Sequence, residues 1–122
     1  MRKSRKMAAL AAGVLGSLVV AVSAFARLDA TAVAVTAGKP SEFKFVLSKT
    51  AAPKGAITFK LANKGKLSHD FKIAGKKTAT VKSGKTATLS VTIGKPGKYQ
   101  FLCTVAGHAA AGMKGTFTVR AK

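Results

Sequence analysis

The chain has 122 residues, with 22 Lys and Arg against three Asp and Glu, a formal charge of +19. That length holds one domain at most, and a hydrophobic content of 48% excludes a disordered polybasic chain. A single Cys excludes an intramolecular disulfide, and with only two His it also excludes zinc ribbons, paired-cysteine binuclear copper centres and multicopper sites.

The first six residues carry four cations and no acid, and an uncharged run rich in Ala, Leu and Val follows from Met7 to Ala26. Ala24-Phe25-Ala26 supplies a small-x-small cleavage pattern. Residues 1–26 therefore read as a signal peptide and residues 27–122 as the mature domain. The run of 20 residues is also long enough to serve as an uncleaved membrane anchor. In either case the domain is expected to be exported, to the periplasm or the outer face of the cytoplasmic membrane. It then keeps 18 cations and three acids, a net charge of +15.

Alternation of apolar and polar residues predicts strands through most of this domain. The runs are Ala30–Thr36, the stretch holding Phe43, Phe45 and Leu47, the stretch holding Ile57, Phe59 and Leu61, then Leu67–Ile73, Lys77–Val81, Thr86–Ile93, Gly97–Cys103 and Gly115–Arg120. Turn signals at Gly38-Lys39-Pro40, Pro53-Lys54-Gly55, Asn63-Lys64-Gly65, Ser83-Gly84 and Lys95-Pro96-Gly97 separate most of them. About eight short strands with no sustained helical period predict an all-β sandwich or barrel. In the fourth run Lys72 must face out, so Leu67, His69, Phe71 and Ile73 are expected to face in; in the seventh, Tyr99, Phe101 and Cys103 share the inward face.

The domain owns four soft metal donors: His69, Cys103, His108 and Met113. Three lie in one Cys-x4-His-x4-Met stretch between the last two strands, and His69 joins them only if the sandwich carries its strand over. Two imidazoles and a thiolate form a trigonal set, and a thioether adds a weak axial contact, a combination that suits one copper ion cycling between Cu(I) and Cu(II). Zinc accepts Cys and His but gains little from Met.

The stretch Tyr99–Val119, read as Y-x-F-x-C-x4-H-x4-M-x-G-x-F-x-V, resembles the ligand loop of the cupredoxins, the small type 1 blue copper proteins. Leu67-Ser68-His69-Asp70-Phe71 is similar to their upstream His strand. The resemblance implies a Greek-key β-sandwich, with His69, Cys103 and His108 as equatorial copper ligands, Met113 as the axial one, and His108 near the surface. Two residues depart from the family pattern. Asp70 stands where these proteins usually have Asn, and Ala106 where they often have Pro. Asp70 is expected to accept a hydrogen bond from Thr104 or a nearby backbone N–H, and its charge to favour the oxidised metal.

Catalysis at copper needs an open coordination position with a base nearby. Here the soft donors are all spent, and Asp29, Glu42 and Asp70 form no evident pair, so an electron carrier is expected rather than an enzyme. The alternative is a periplasmic copper carrier or buffer with no redox role. Tyr99–Met113 has no formal charge and surrounds His108 with small residues, which suits the approach of a redox partner. The basic surface predicts acidic, membrane-associated redox partners or an anionic membrane surface. Nucleic acid is not expected, because the Lys residues interleave with buried Phe rather than an exposed aromatic platform. A monomer is expected.

Overall fold

The computed structural model describes residues 30–122, so the predicted leader at 1–26 lies outside the described residues, as does Asp29. No helix among the described residues is long and apolar enough to cross a membrane. The elements are nine strands: β1 (Thr31–Ala37), β2 (Phe45–Leu47), β3 (Ala51–Pro53), β4 (Gly55–Asn63), β5 (Lys72–Ile73), β6 (Lys76–Lys77), β7 (Thr86–Ile93), β8 (Gly97–Leu102) and β9 (Lys114–Arg120). They form a four-stranded sheet in the order β2-β1-β4-β7 and a five-stranded sheet in the order β3-β9-β8-β5-β6. Both sheets are mixed: β1 runs parallel to β4 and β3 parallel to β9, while the other pairs are antiparallel.

The alternation in the sequence sets which faces meet. Val33 and Val35 of β1, Ile57, Phe59 and Leu61 of β4, and Leu89, Val91 and Ile93 of β7 are buried between the sheets. Phe101 of β8 and Phe117 and Val119 of β9 close the layer from the other side. The centre is aromatic. Phe71 stacks on Phe101 at 5.4 Å and lies 5.1 Å from Phe59, while Phe45 and Phe117 meet this group edge-on. Such pairs add to area burial through their ring quadrupoles, and they form a firm floor beneath the loops at one end of the sandwich.

Three elements differ from expectation. β3 is a ninth strand whose three residues are too short to show alternation; it is held by its parallel register with Thr118–Arg120 of β9. The run Leu67–Ile73 is a strand only at Lys72–Ile73, and Leu67 is exposed instead of inward. The reason lies in where its backbone hydrogen bonds go. Lys66 N–H and Leu67 N–H donate to the Glu42 carboxylate, and Phe71 N–H donates to Thr78 Oγ1, so side chains take the place of a neighbouring strand. Only His69 makes a bridge, exchanging both backbone bonds with Val81. The Lys77–Val81 run is likewise reduced to the end of β6 plus that bridge.

Candidate metal centre

Cys103 follows the last residue of β8, and Met113 precedes the first residue of β9. Leu102 pairs with Lys114, and Cys103 N–H donates to Met113 O at 3.1 Å, so the ladder closes the base of the loop between them. Within the loop His108 N–H donates to Val105 O at 3.0 Å, with Gly107 at φ +84°, the pattern of a type II turn with its required glycine in third place. His108 O then accepts from Met113 N–H at 3.1 Å. These bonds fold the loop back on itself and turn the His108 imidazole inward, leaving it 7% exposed.

His69 arrives from the other direction. Asn63, at the inward parity of β4 and fully buried, donates from Nδ2 to Leu67 O and Val81 O and accepts from Gly65 N–H on Oδ1. It thereby ties the His69 segment to the end of the first sheet. A polar residue at an inward position of an alternating strand was the sequence signal for this role.

The three donors meet. One ligand atom from each of His69, Cys103 and His108 lies within 4.8 Å of the others, and all three residues are buried. His69 Nδ1 and His108 Nδ1 are 3.2 Å apart, and they lie 4.0 Å and 3.6 Å from Cys103 Sγ. Met113 is fully buried in the same loop. The four predicted residues therefore occupy one end of the sandwich, with two Nδ1 atoms and one sulfur turned towards a common point.

Carboxylates and N–H groups surround these donors. Glu42, from the loop between β1 and β2, approaches His69 Nε2 with Oε2 at 2.6 Å and accepts the N–H groups of Lys66 and Leu67. These bonds, led by Lys66 and Leu67 and then His69, hold its pKa down to about 2. The next residue, Phe43, packs edge-on against His108 with centroids 5.0 Å apart. Asp70 is buried, against the outward position its parity predicts. It accepts Thr104 N–H at 2.6 Å and the Thr104 hydroxyl at 2.5 Å, the role expected of it, and Thr80 Oγ1 and Lys77 Nζ approach its Oδ2 at 3.4 and 3.8 Å. Its own backbone N–H points to Cys103 Sγ at 3.5 Å.

Burial pushes the Cys103 thiol up, while N–H donation from Asp70 and Val105 to the sulfur opposes this. Burial, followed by the neighbouring His69, pushes His108 down, which favours the neutral imidazole that a metal needs. Two imidazole nitrogens and a cysteine sulfur with N–H donors already aimed at it are a donor set fitted to copper. Glu42 escaped sequence reasoning because it is 27 residues from His69 and lies in a loop with no periodicity.

The cupredoxin-like domain family profile matches residues 8–119. Auracyanin-B of Chloroflexus aurantiacus is 43% identical over 42 residues, 34% of this chain and 18% of that relative's length. The chain thus spans well under two thirds of this curated relative. Among solved structures, an auracyanin B superposes with a TM-score of 0.66 at 21% identity, covering 73% of this chain and 88% of that one. Auracyanin A, described as a blue copper protein of Chloroflexus aurantiacus, gives a TM-score of 0.62 at 18% identity, covering 75% and 99%. Rusticyanin from Thiobacillus ferrooxidans gives 0.61 at 23% identity, covering 75% and 77%. These likenesses agree with the sandwich described above.

Proposed function

The chain belongs to the cupredoxin-like family, and from that premise we propose that it is an exported electron carrier working through one copper ion. His69 and His108 would hold the ion through Nδ1 and Cys103 through Sγ, with the buried Met113 thioether as a further, weaker donor. The observation that carries this reading is the buried convergence of the His69, Cys103 and His108 ligand atoms within 4.8 Å. When bound, copper supplies one-electron chemistry between Cu(I) and Cu(II).

The protein's part is to keep that site dry, filled and nearly fixed. Cys103 and Met113 are tied by the backbone bond at the loop base, His69 is bridged on both sides to Val81, and the Phe71–Phe101 stack lies beneath. Donors anchored in this way move little on a change of metal charge, which suits outer-sphere exchange. His108 alone among the three reaches towards the surface, within a loop where Ala106, Gly107, Ala110 and Ala111 are exposed and uncharged. A partner can approach the imidazole edge there without stripping water from charged groups. The lysines around the rest of the molecule favour an acidic partner.

Addition of Cu(II) to residues 27–122 tests the reading. An intense blue or green charge-transfer band with narrow copper hyperfine splitting, absent in Cys103→Ser, is the expected result. Reversible one-electron titration of both states should follow. A pale tetragonal spectrum, or release of Cu(I) to a mild chelator before any redox cycling, overturns electron carriage.

A further inference from the structure

Two acids occur among the described residues, in a segment with 17 exposed Lys and Arg, and neither acid forms an ordinary surface ion pair. Both lie beside the candidate metal centre, Asp70 on Thr104 and Glu42 on His69, and Glu42 is brought there by close backbone packing. Its carboxylate lies over Gly65 so closely that a Cβ at Gly65 would stand 2.3 Å from Oε2. Gly65 in turn packs on Gly38, where a Cβ would stand 2.4 Å from the Gly65 backbone. The two glycines bring the loop after β1 and the loop after β4 into contact, and the space left between them is filled by the Glu42 head group. From that position Oε2 faces His69 Nε2 at 2.6 Å, on the opposite side of the ring from Nδ1.

We propose that Glu42 is a positioning residue of the copper centre, fixing the His69 proton on Nε2 so that Nδ1 is the atom offered to the metal, and lending a negative charge that favours the oxidised ion. This rests on the copper reading above. An imidazole has two nitrogens, and which one is bare is set by the partner of the other. His69 Nδ1 faces His108 Nδ1 and Cys103 Sγ, so a proton there would block the site. A carboxylate on Nε2–H removes that state, holds the ring plane, and makes Nδ1 a stronger donor. Glu42 also receives Lys66 N–H and Leu67 N–H, so a purely structural role as a clamp between two loops is the competing account.

Two variants separate the accounts. Glu42→Gln keeps an oxygen for His69 Nε2–H but removes the charge, whereas Glu42→Ala removes both. In the metal-free protein, imidazole nitrogen NMR should report His69 with its proton on Nε2 in the wild type and in Glu42→Gln, and a tautomer mixture in Glu42→Ala. With copper, Glu42→Gln should retain the wild-type charge-transfer band while losing about tenfold in preference for Cu(II) over Cu(I), an upward midpoint shift of about 59 mV for one electron. Glu42→Ala should lose roughly 10–100-fold in Cu(II) affinity and alter the copper hyperfine pattern. If Glu42→Ala does not fold, the Glu42→Gln midpoint decides alone. A normal wild-type band with an unmoved Glu42→Gln midpoint and a His69 tautomer that stays on Nε2 in Glu42→Ala leaves only the clamp and overturns the proposal. A wild type with no thiolate band sinks the copper reading itself, a separate and recognisable failure.

Discussion

Asp70 separates charge from geometry at a single position. Its oxygens hold both the backbone and the hydroxyl of Thr104, and its N–H reaches the Cys103 sulfur, so the residue links the two ligand-bearing segments. Asn can keep the Thr104 N–H bond through Oδ1, and the Thr104 hydroxyl can rotate to accept from Nδ2. Asp70→Asn should therefore leave the charge-transfer band in place and raise the midpoint, by about 59 mV if the Cu(II) preference falls tenfold; spectroelectrochemical titration measures it. Glu42 supplies a prediction about acid. Its pKa is held at about 2 against an ordinary 4.5, so its contribution to stability is complete above 4.5 and is lost as pH falls towards 2. Denaturant unfolding of the metal-free protein across that window should show a loss of stability that is smaller in Glu42→Gln. The four soft donors were legible in the sequence because the domain has no others to choose from. The carboxylate behind His69 was not, since only the Gly38–Gly65 contact brings it there.

The turn at Val105–His108 carries a similar argument for a whole loop. A type II turn places glycine third, where φ is positive, and favours Pro second. Gly107 has φ +84° in the third place and Ala106 stands second. No backbone bond from the Ala106 N–H appears among the loop's hydrogen bonds, so Pro removes nothing there. Ala106→Pro should thus stabilise the metal-free protein by about 0.4–1 kcal/mol through the unfolded chain, while Gly107→Ala should destabilise it by more. Thermal unfolding of the pair checks the sign, and opposite directions are required. At this scale β1, β4, β7, β8 and β9 could be read from alternation because each has one buried face, whereas β3 and β6 are too short to show it. Leu67–Ile73 could not, because alternation reports which side chains are buried and says nothing of where backbone N–H groups go. Here they go to Glu42 and Thr78, so the segment follows the loop rather than the sheet.

Charge is distributed over the whole molecule in a way that neither loop explains. All 17 Lys and Arg among the described residues are exposed, and the two described carboxylates are engaged by His69 and Thr104, so the outer surface carries one sign almost alone. Between Lys98 and Lys114 the chain has no charge at all, and this interval contains the loop whose exposed small residues cover the buried His108. On the electron-carrier reading proposed above, such a field would draw an anionic partner from a distance and the neutral window would set the final contact. The range of that field is the Debye length, which shrinks from about 30 Å at 0.01 M salt to about 8 Å at 0.15 M. The second-order rate of electron exchange with an acidic redox protein should therefore fall by about tenfold or more over that interval. Exchange with an uncharged small oxidant should stay nearly constant, because it meets the same window without steering. The midpoint should also move little, since Glu42 and Asp70 act within hydrogen-bond distance of the centre and are weakly screened. A protein-partner rate that ignores salt would reduce the lysines to a solubility device and leave the apolar loop as the whole of the recognition surface.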